Sequence, residues 1–285
     1  VYYYKDAVLK ELDSIKSVPN SLLNVDGLKI YTNLNIEYQE ILENNVTDNT
    51  NNTDMQIASV IIEPSSGKVT ALIGGKNYSQ SQFNRATSSK RQVGSTIKPF
   101  LYYAALENGF TPSTTFLSEP TSFNIGKEFY SHKNAGNIYA NRNISLLSAI
   151  SYSDNIYAMK THFFLGLDTL GNISKRVHIN TPILNNASSA LGTTEINMLD
   201  FANGYITLAN EGIHKDPYFI EKITDLEGNI LYEHKQEEEY VLNKKYVYIL
   251  NSMLSNTYNY AMVNYTSPTL ISVSSILKNN KYAVK

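Results

Sequence analysis

A serine and a lysine three residues apart, Ser95 and Lys98, stand in the segment Arg91-Gln92-Val93-Gly94-Ser95-Thr96-Ile97-Lys98-Pro99-Phe100. On a helix, positions i and i+3 are surface neighbours about one turn apart, so a hydroxyl and an amine come within reach of each other. A partly desolvated, neutral amine can take the hydroxyl proton and leave a nucleophile. Gly94 lets the backbone turn and leaves room beside the hydroxyl. Pro99 is tolerated only within or just past a helix's first turn, so the pattern predicts a helix that begins near Ser95. Ser95 then lies at the positive end of a helix dipole, where an oxyanion would be stabilised. The same spacing recurs at Ser65–Lys68 and Ser275–Lys278. The first reads as a Pro-Ser-Ser-Gly turn between strands and the second as a helix end in water. Only Ser95 has a glycine before it and an apolar, aromatic helix after it, Phe100-Leu101-Tyr102-Tyr103-Ala104-Ala105-Leu106.

A second constellation, Ser153-Asp154-Asn155, follows the helical run Ile144-Ser145-Leu146-Leu147-Ser148-Ala149-Ile150. A serine and an asparagine two apart, on a loop between helices, can both point into one cleft. The hydroxyl can relay a proton, and the amide can bind a peptide-like substrate as donor and acceptor at once. Ser122-Phe123-Asn124 repeats the spacing and reads as a turn. The order Ser-x-x-Lys, then Ser-Asp-Asn, is far more specific than either element alone.

These residues need a scaffold, and 285 residues suffice for one large domain or one with a small appendage. Hydrophobic residues make up 42% and charged residues 18%, as in a globular protein. A formal charge of -2 offers nothing to nucleic acid or an anionic membrane surface. The absence of cysteine removes disulfides, thiolate metal sites and cysteine nucleophiles together. The five histidines are scattered without ligand spacing, so neither a metal nor a cofactor is expected. No apolar run of about 18 residues is present, and Val1-Tyr2-Tyr3-Tyr4-Lys5 is not a signal peptide.

Along the chain, Lys5 to Ile15 has helical spacing, Gly27 to Asn35 alternates as a strand, and a short helix follows through Tyr38, Ile41 and Leu42. Asn44 to Thr53, nearly all Asn, Thr and Asp, reads as a solvated loop. Gln56 to Glu63 and Lys68 to Ile73 form the clearest hairpin, closed by Gly74-Gly75. Leu101 to about Leu170 reads as mainly helical, Phe219 to Thr224 with Asn229 to His234 as a second hairpin, and Tyr246 to Leu254 as a helix. Lys281-Tyr282-Ala283-Val284-Lys285 begins a strand pattern and stops, from which the natural chain is expected to continue.

Taken together these segments resemble the transpeptidase domain of class A penicillin-binding proteins. The resemblance rests on Ala58 to Gly75 as the family's first hairpin, on Phe83-Asn84-Arg85-Ala86-Thr87, and on Arg91 to Phe100. Ser153-Asp154-Asn155-Ile156 is similar to its second motif, and Ser189 to Glu195 with Ala209-Asn210-Glu211-Gly212 to its later helical region. The family's third motif is Lys-Thr-Gly on a strand edging the cleft. Lys285 stands where its lysine would come, while the Thr and Gly are absent.

The resemblance implies an α/β fold of the penicillin-binding-protein/serine β-lactamase type. An antiparallel sheet is flanked by helices beside an all-helical lobe, and the last strands lie beyond residue 285. Residues 1–54 would form a lead-in segment and 55–285 the transpeptidase domain. The implied activity is a serine D,D-transpeptidase, and the partners are peptidoglycan stem peptides (a D-Ala-D-Ala donor and an amine acceptor) and β-lactams. Ser95 would be the nucleophile, Lys98 its base, Ser153 a proton relay, and Asn155 the holder of the substrate amide. Gly94 and Lys285 would complete the substrate contacts. Arg85 and Arg91 are expected to hold the local fold. The family further implies the outer face of a bacterial cell membrane, with an anchor and a glycosyltransferase domain outside this chain. A β-lactam-hydrolysing serine β-lactamase and a non-catalytic sensor of β-lactam or cell-wall peptide are the rival readings.

Overall fold

Apolar residues at helical spacing near the start of the chain form helix α1 (Tyr2–Leu12), which buries Tyr3, Tyr4, Ala7, Val8 and Leu12. The computed structural model describes residues 1–18, 27–50, 52–125, 128–279 and 282–285. Strand β1 (Leu28–Thr32), helix α2 (Ile36–Thr50) and the hairpin of β2 (Ser59–Ile62) and β3 (Val69–Ile73) follow. Next come α3 (Lys98–Glu107), α4 (Leu146–Tyr152), α5 (Asn155–Leu165) and α6 (Thr169–Arg176). The chain continues through α7 (Met198–Ala209), β4 (Ile220–Asp225), β5 (Ile230–Glu233) and α8 (Lys244–Leu254).

Two compact units result: Val1–Lys90 with Asn197–Tyr240, and Arg91–Ile196 with Val241–Lys285. Residues 1–54, expected as a lead-in, fall wholly in the first unit.

In the first unit, β4 pairs antiparallel with both β1 and β5, with Ile30 opposite Ile223. The apolar residues of α1 pack with Val69 and Leu72 of β3 and with Phe219, Ile220 and Ile223 in one core. Glu11 ties α1 to β4 by accepting from Phe219 N at 2.8 Å and Ile220 N at 2.9 Å.

Helix α2 corrects one expectation, because it runs through most of the stretch read as a loop; Asn51 lies outside the described residues. The polar residues return hydrogen bonds to the backbone one turn back: Asn45 to Ile41 O, Thr47 to Glu43 O, Asn49 to Asn45 O and Thr50 to Val46 O. The helix is docked by Gln39, which is buried and mimics a strand residue. Its Nε2 donates to Leu72 O at 3.0 Å, and its Oε1 accepts from Leu72 N at 2.9 Å. Tertiary contact here overrides a weak local propensity.

The second unit is built around α3, whose residues Lys98 to Leu106 are all buried. A helix apolar on every side belongs in an interior. Helices α4, α5, α6 and α8 surround it. This unit is not all-helical, and the stretch from Leu101 to Leu170 is less helical than the sequence pattern predicts. Thr115–Ser118 pairs with Arg142–Ser145, and Thr121–Ile125 with Glu128–His132. Strands of four or five residues carry too few alternations to be read, and the first pair joins segments far apart in sequence. Ser122 and Asn124 lie in the second pair, on a strand and not in a turn. Residues Tyr282 to Lys285 form no strand. Tyr258 Oη donates to Tyr282 O at 2.9 Å and Thr257 Oγ1 to Val284 O at 3.1 Å, so side chains hold the segment. Lys281 lies outside the described residues.

Gln39→Ala strips the buried Leu72 N and O of their partners. Each orphaned group costs about 1–3 kcal/mol. Urea unfolding should show that loss, and Gln39→Glu should lose stability as well, because it sets a buried carboxylate against Leu72 O and the Glu43 carboxylate.

Candidate active site

The Ser95 segment enters α3 through a single 3-10 turn, Gly94–Ile97, with Pro99 within the first two helical positions. In a 3-10 turn residues i and i+3 eclipse each other, so Ser95 and Lys98 share one side as expected. Gly94 has φ +57°, and a Cβ there would meet nothing within 4 Å. Glycine is needed for its backbone conformation, and the space beside it is open.

The turn is held by a second glycine. Gly94 N donates to Gly192 O at 2.9 Å, and Val93 N to Thr194 O at 3.4 Å. Gly192 has φ +72°, and a Cβ on it would lie 2.0 Å from Gly94 O. No side chain fits there. Gly192 closes the 3-10 turn Ala187–Leu191, which Asn186 caps by accepting from Ser189 N at 3.1 Å.

The Ser153-Asp154-Asn155 triplet joins α4 to α5. Ser153 ends α4 in the left-handed region, φ +57°. Asp154 caps α5, its Oδ1 accepting from Tyr157 N at 2.7 Å, while its Oδ2 accepts from Ser118 Oγ at 2.6 Å. Asn155 opens the helix and donates from Nδ2 to Lys133 O at 2.8 Å, which turns its Oδ1 the other way.

Lys98 joins the two motifs. Its side chain is fully buried, and Nζ lies 2.8 Å from Ser153 O, 3.1 Å from Ser153 Oγ and 2.7 Å from Asn155 Oδ1. Burial, and then the positive charge of Lys285, hold Lys98 well below the ordinary lysine range; Asp154 pulls the other way. A neutral amine has two N–H groups and one lone pair. The carbonyl and the amide oxygen can only accept, so the lone pair faces the one partner able to donate, the Ser153 hydroxyl. Among the described residues the Ser95 hydroxyl has no hydrogen bond, to Lys98 or to any other group, and it is half-buried.

Lys285 reaches the same place. Its Nζ donates to Ile150 O at 3.1 Å, and burial lowers its pKa to about 8. The structure therefore brings Gly94, Ser95, Lys98, Ser153, Asn155 and Lys285 into one unit. Arg85 holds local structure, donating to Gly74 O and Phe83 O, each at 3.3 Å. Arg91 is exposed. Sequence reasoning missed the parts played by Gly192, Ser118 and Asn134. Only the Gly192 neighbourhood, Ser189-Ala190-Leu191-Gly192, gave any signal.

Two outcomes follow from this geometry. Gly94→Ala should cost about 1–2 kcal/mol, the penalty of a left-handed backbone. Gly192→Ala should cost more in the same thermal melt, because it adds a collision with the Gly94 backbone. The second outcome concerns pH. An unfolded lysine titrates near 10.5, and folded Lys98 lower. Between these values the unfolded chain binds the proton and the folded chain does not, so stability rises with pH in that window. The stability of Lys98→Met relative to wild type should therefore rise as pH falls from 10.5 through the window.

Known proteins match this chain over most of its length. The model of the penicillin-binding protein transpeptidase domain matches residues 57–269. The chain is 39% identical over 270 residues to penicillin-binding protein 2D of Bacillus subtilis, covering 94% of this chain and 39% of that protein. It is 36% identical over 186 residues to penicillin-binding protein 1A of Escherichia coli, covering 64% of this chain and 22% of that one. The chain thus spans about two fifths of the first relative and about a fifth of the second. Among solved structures, penicillin-binding protein 1A from Haemophilus influenzae superposes with a TM-score of 0.71 at 26% identity, covering 77% of this chain and 38% of that one. Among the described residues no helix is long and apolar enough to cross a membrane. With its α/β architecture and its two motifs joined at Lys98, the chain belongs to the penicillin-binding-protein transpeptidase family, its relatives being the class A proteins that the sequence resembles.

Proposed function

We propose that this domain is a serine D,D-transpeptidase that cross-links peptidoglycan stem peptides through an acyl-enzyme on Ser95. The observation that carries the reading is the buried Lys98 amine, whose electrostatic surroundings favour the neutral form, bonded to Ser153 and Asn155 and set one turn from Ser95.

In this reading Lys98 takes the Ser95 proton, and Ser95 Oγ attacks the carbonyl of the penultimate D-Ala. The Ser95 backbone N–H, in the first helical turn, is one donor to the oxyanion. Ser153 passes a proton from Lys98 to the leaving D-Ala nitrogen, the bond to terminal D-Ala breaks, and the acyl group stays on Ser95. An amine of a second stem peptide then takes the acyl group and frees the serine. Asn155 holds the substrate amide, Gly94 leaves the open space in which substrate lies, and Lys285 presents positive charge to the substrate carboxylate. β-Lactams resemble the D-Ala-D-Ala terminus and acylate the same serine, leaving slowly. The domain acts on the cell-wall side of a bacterial membrane.

Intact mass with and without benzylpenicillin tests the central claim. One drug per chain is expected on the wild type and none on Ser95→Ala; an adduct surviving in Ser95→Ala overturns the assignment. Rapid loss of the adduct would favour a β-lactamase. Failure to transfer a stem-peptide thioester to a D-amino acid, despite binding, would favour a sensor. The acid limb of the acylation pH profile rises as Lys98 loses its proton, and loss of the Lys285 proton, near its pKa of about 8, lowers the rate. Lys285→Ala removes a positive charge beside Lys98, so Lys98 holds its proton more tightly and the acid limb moves to higher pH.

A further inference from the structure

The Ser153–Asn155 turn is costly to form. Ser153 holds a left-handed backbone, which is unfavourable for a residue with a Cβ. The following residue, Asp154, is only 2% exposed and brings a carboxylate into the interior. Such conformations persist only where the surroundings over-determine them. Those surroundings converge on Asn134, a residue outside all three motifs.

Asn134 is buried, and its side-chain amide is in use at both ends. Nδ2 donates to Asp154 Oδ2 at 2.7 Å and to Ile138 O at 3.1 Å. Oδ1 accepts from Asn155 N at 2.8 Å and from Ile156 N at 3.3 Å. One planar group therefore donates to the inner carboxylate edge and caps two of the N–H groups that open α5. The residue before it, Lys133, gives its carbonyl to Asn155 Nδ2 at 2.8 Å. That contact decides which end of the Asn155 amide faces Lys98. Both ends of the second motif thus hang on the two-residue segment Lys133-Asn134.

We propose that Asn134 is a positioning residue for the acyl transfer: it touches no substrate, and it sets the turn at which Ser153 Oγ and Asn155 Oδ1 meet the Lys98 amine. This role rests on the acyl-enzyme reading of Ser95 and Lys98. The site demands a donor and an acceptor on one short, planar group. Aspartate would set a carboxylate against Asp154, glutamine is a methylene too long, and alanine leaves Asp154 Oδ2 and Asn155 N short of partners.

The test compares wild type, Asn134→Asp, Asp154→Asn and the double variant Asn134→Asp/Asp154→Asn on the full chain. The readout is the first-order acylation rate at saturating benzylpenicillin, per chain able to form the adduct. A thermal melt of each protein separates folding from rate. Asn134→Asp should acylate about 10²-fold more slowly, the penalty of a misplaced catalytic group. Asp154→Asn should be slowed as well, because one end of its amide must then turn an N–H group toward a donor, either Asn134 Nδ2 or Tyr157 N. The double variant exchanges amide and carboxylate and remakes the contact between the two side chains, losing only the bond to Ile138 O, so it should recover about tenfold or more over the slower single variant, as expected for coupled residues in one network. A wild-type rate in Asn134→Asp overturns the role, and so does a double variant no faster than the slower single. A wild-type chain that takes no adduct overturns the acyl-enzyme reading and this role with it.

Discussion

A lysine amine with no contact to water sits where three oxygens of one turn converge, and the second unit is arranged around that fact. A charged ammonium in such a place is expensive. The fold keeps it because the amine can shed its proton, and Lys285 encourages this by adding a second positive charge nearby. Asp154 opposes the shift but is occupied elsewhere, accepting from Ser118, Asn134 and Tyr157 N. Its charge is spent on holding the turn. The result is an amine fixed in place by its hydrogen bonds and desolvated enough to favour its neutral form.

The rigidity behind this comes from backbone as much as from side chains. Gly94 and Gly192 lie so close that neither a methyl group nor an ordinary backbone conformation fits at Gly192. The serine loop is thereby clamped to a 3-10 turn that belongs to a remote part of the sequence. Helix α3 then carries Lys98 inward, its buried residues packed by α4, α5, α6 and α8. An amine placed at the start of a fully enclosed helix has little freedom to move, which suits the proposed chemistry, where small misplacements are costly.

Much was legible in the residues themselves. Ser95, Lys98, Ser153 and Asn155 could be selected because glycine, proline and aromatic neighbours give a short motif its context. The hairpin at Pro64-Ser65-Ser66-Gly67 and the helix over Lys244–Leu254 were readable from local periodicity. The helix through Asn45 and Asn49 was not, since its stability comes from Gln39 binding Leu72 and from side chains returning to the backbone. The strand pairs between Thr115 and Ser145 were missed for a related reason: each is short, and one partner lies far along the chain.

The sequence by itself determined which groups are available for the chemistry: one hydroxyl at a helix start, one lysine three residues on, and a serine and an asparagine on one turn. These follow from local rules of spacing, glycine and proline. Tertiary structure alone decided that Lys98 is buried and turned toward Ser153 and Asn155, that Lys285 stands close enough to lower its pKa, and that Gly192 and Asn134 hold the two motifs in place. Desolvation, Coulomb interaction and hydrogen-bond satisfaction depend on what surrounds a group in space, and adjacency along the chain does not report it.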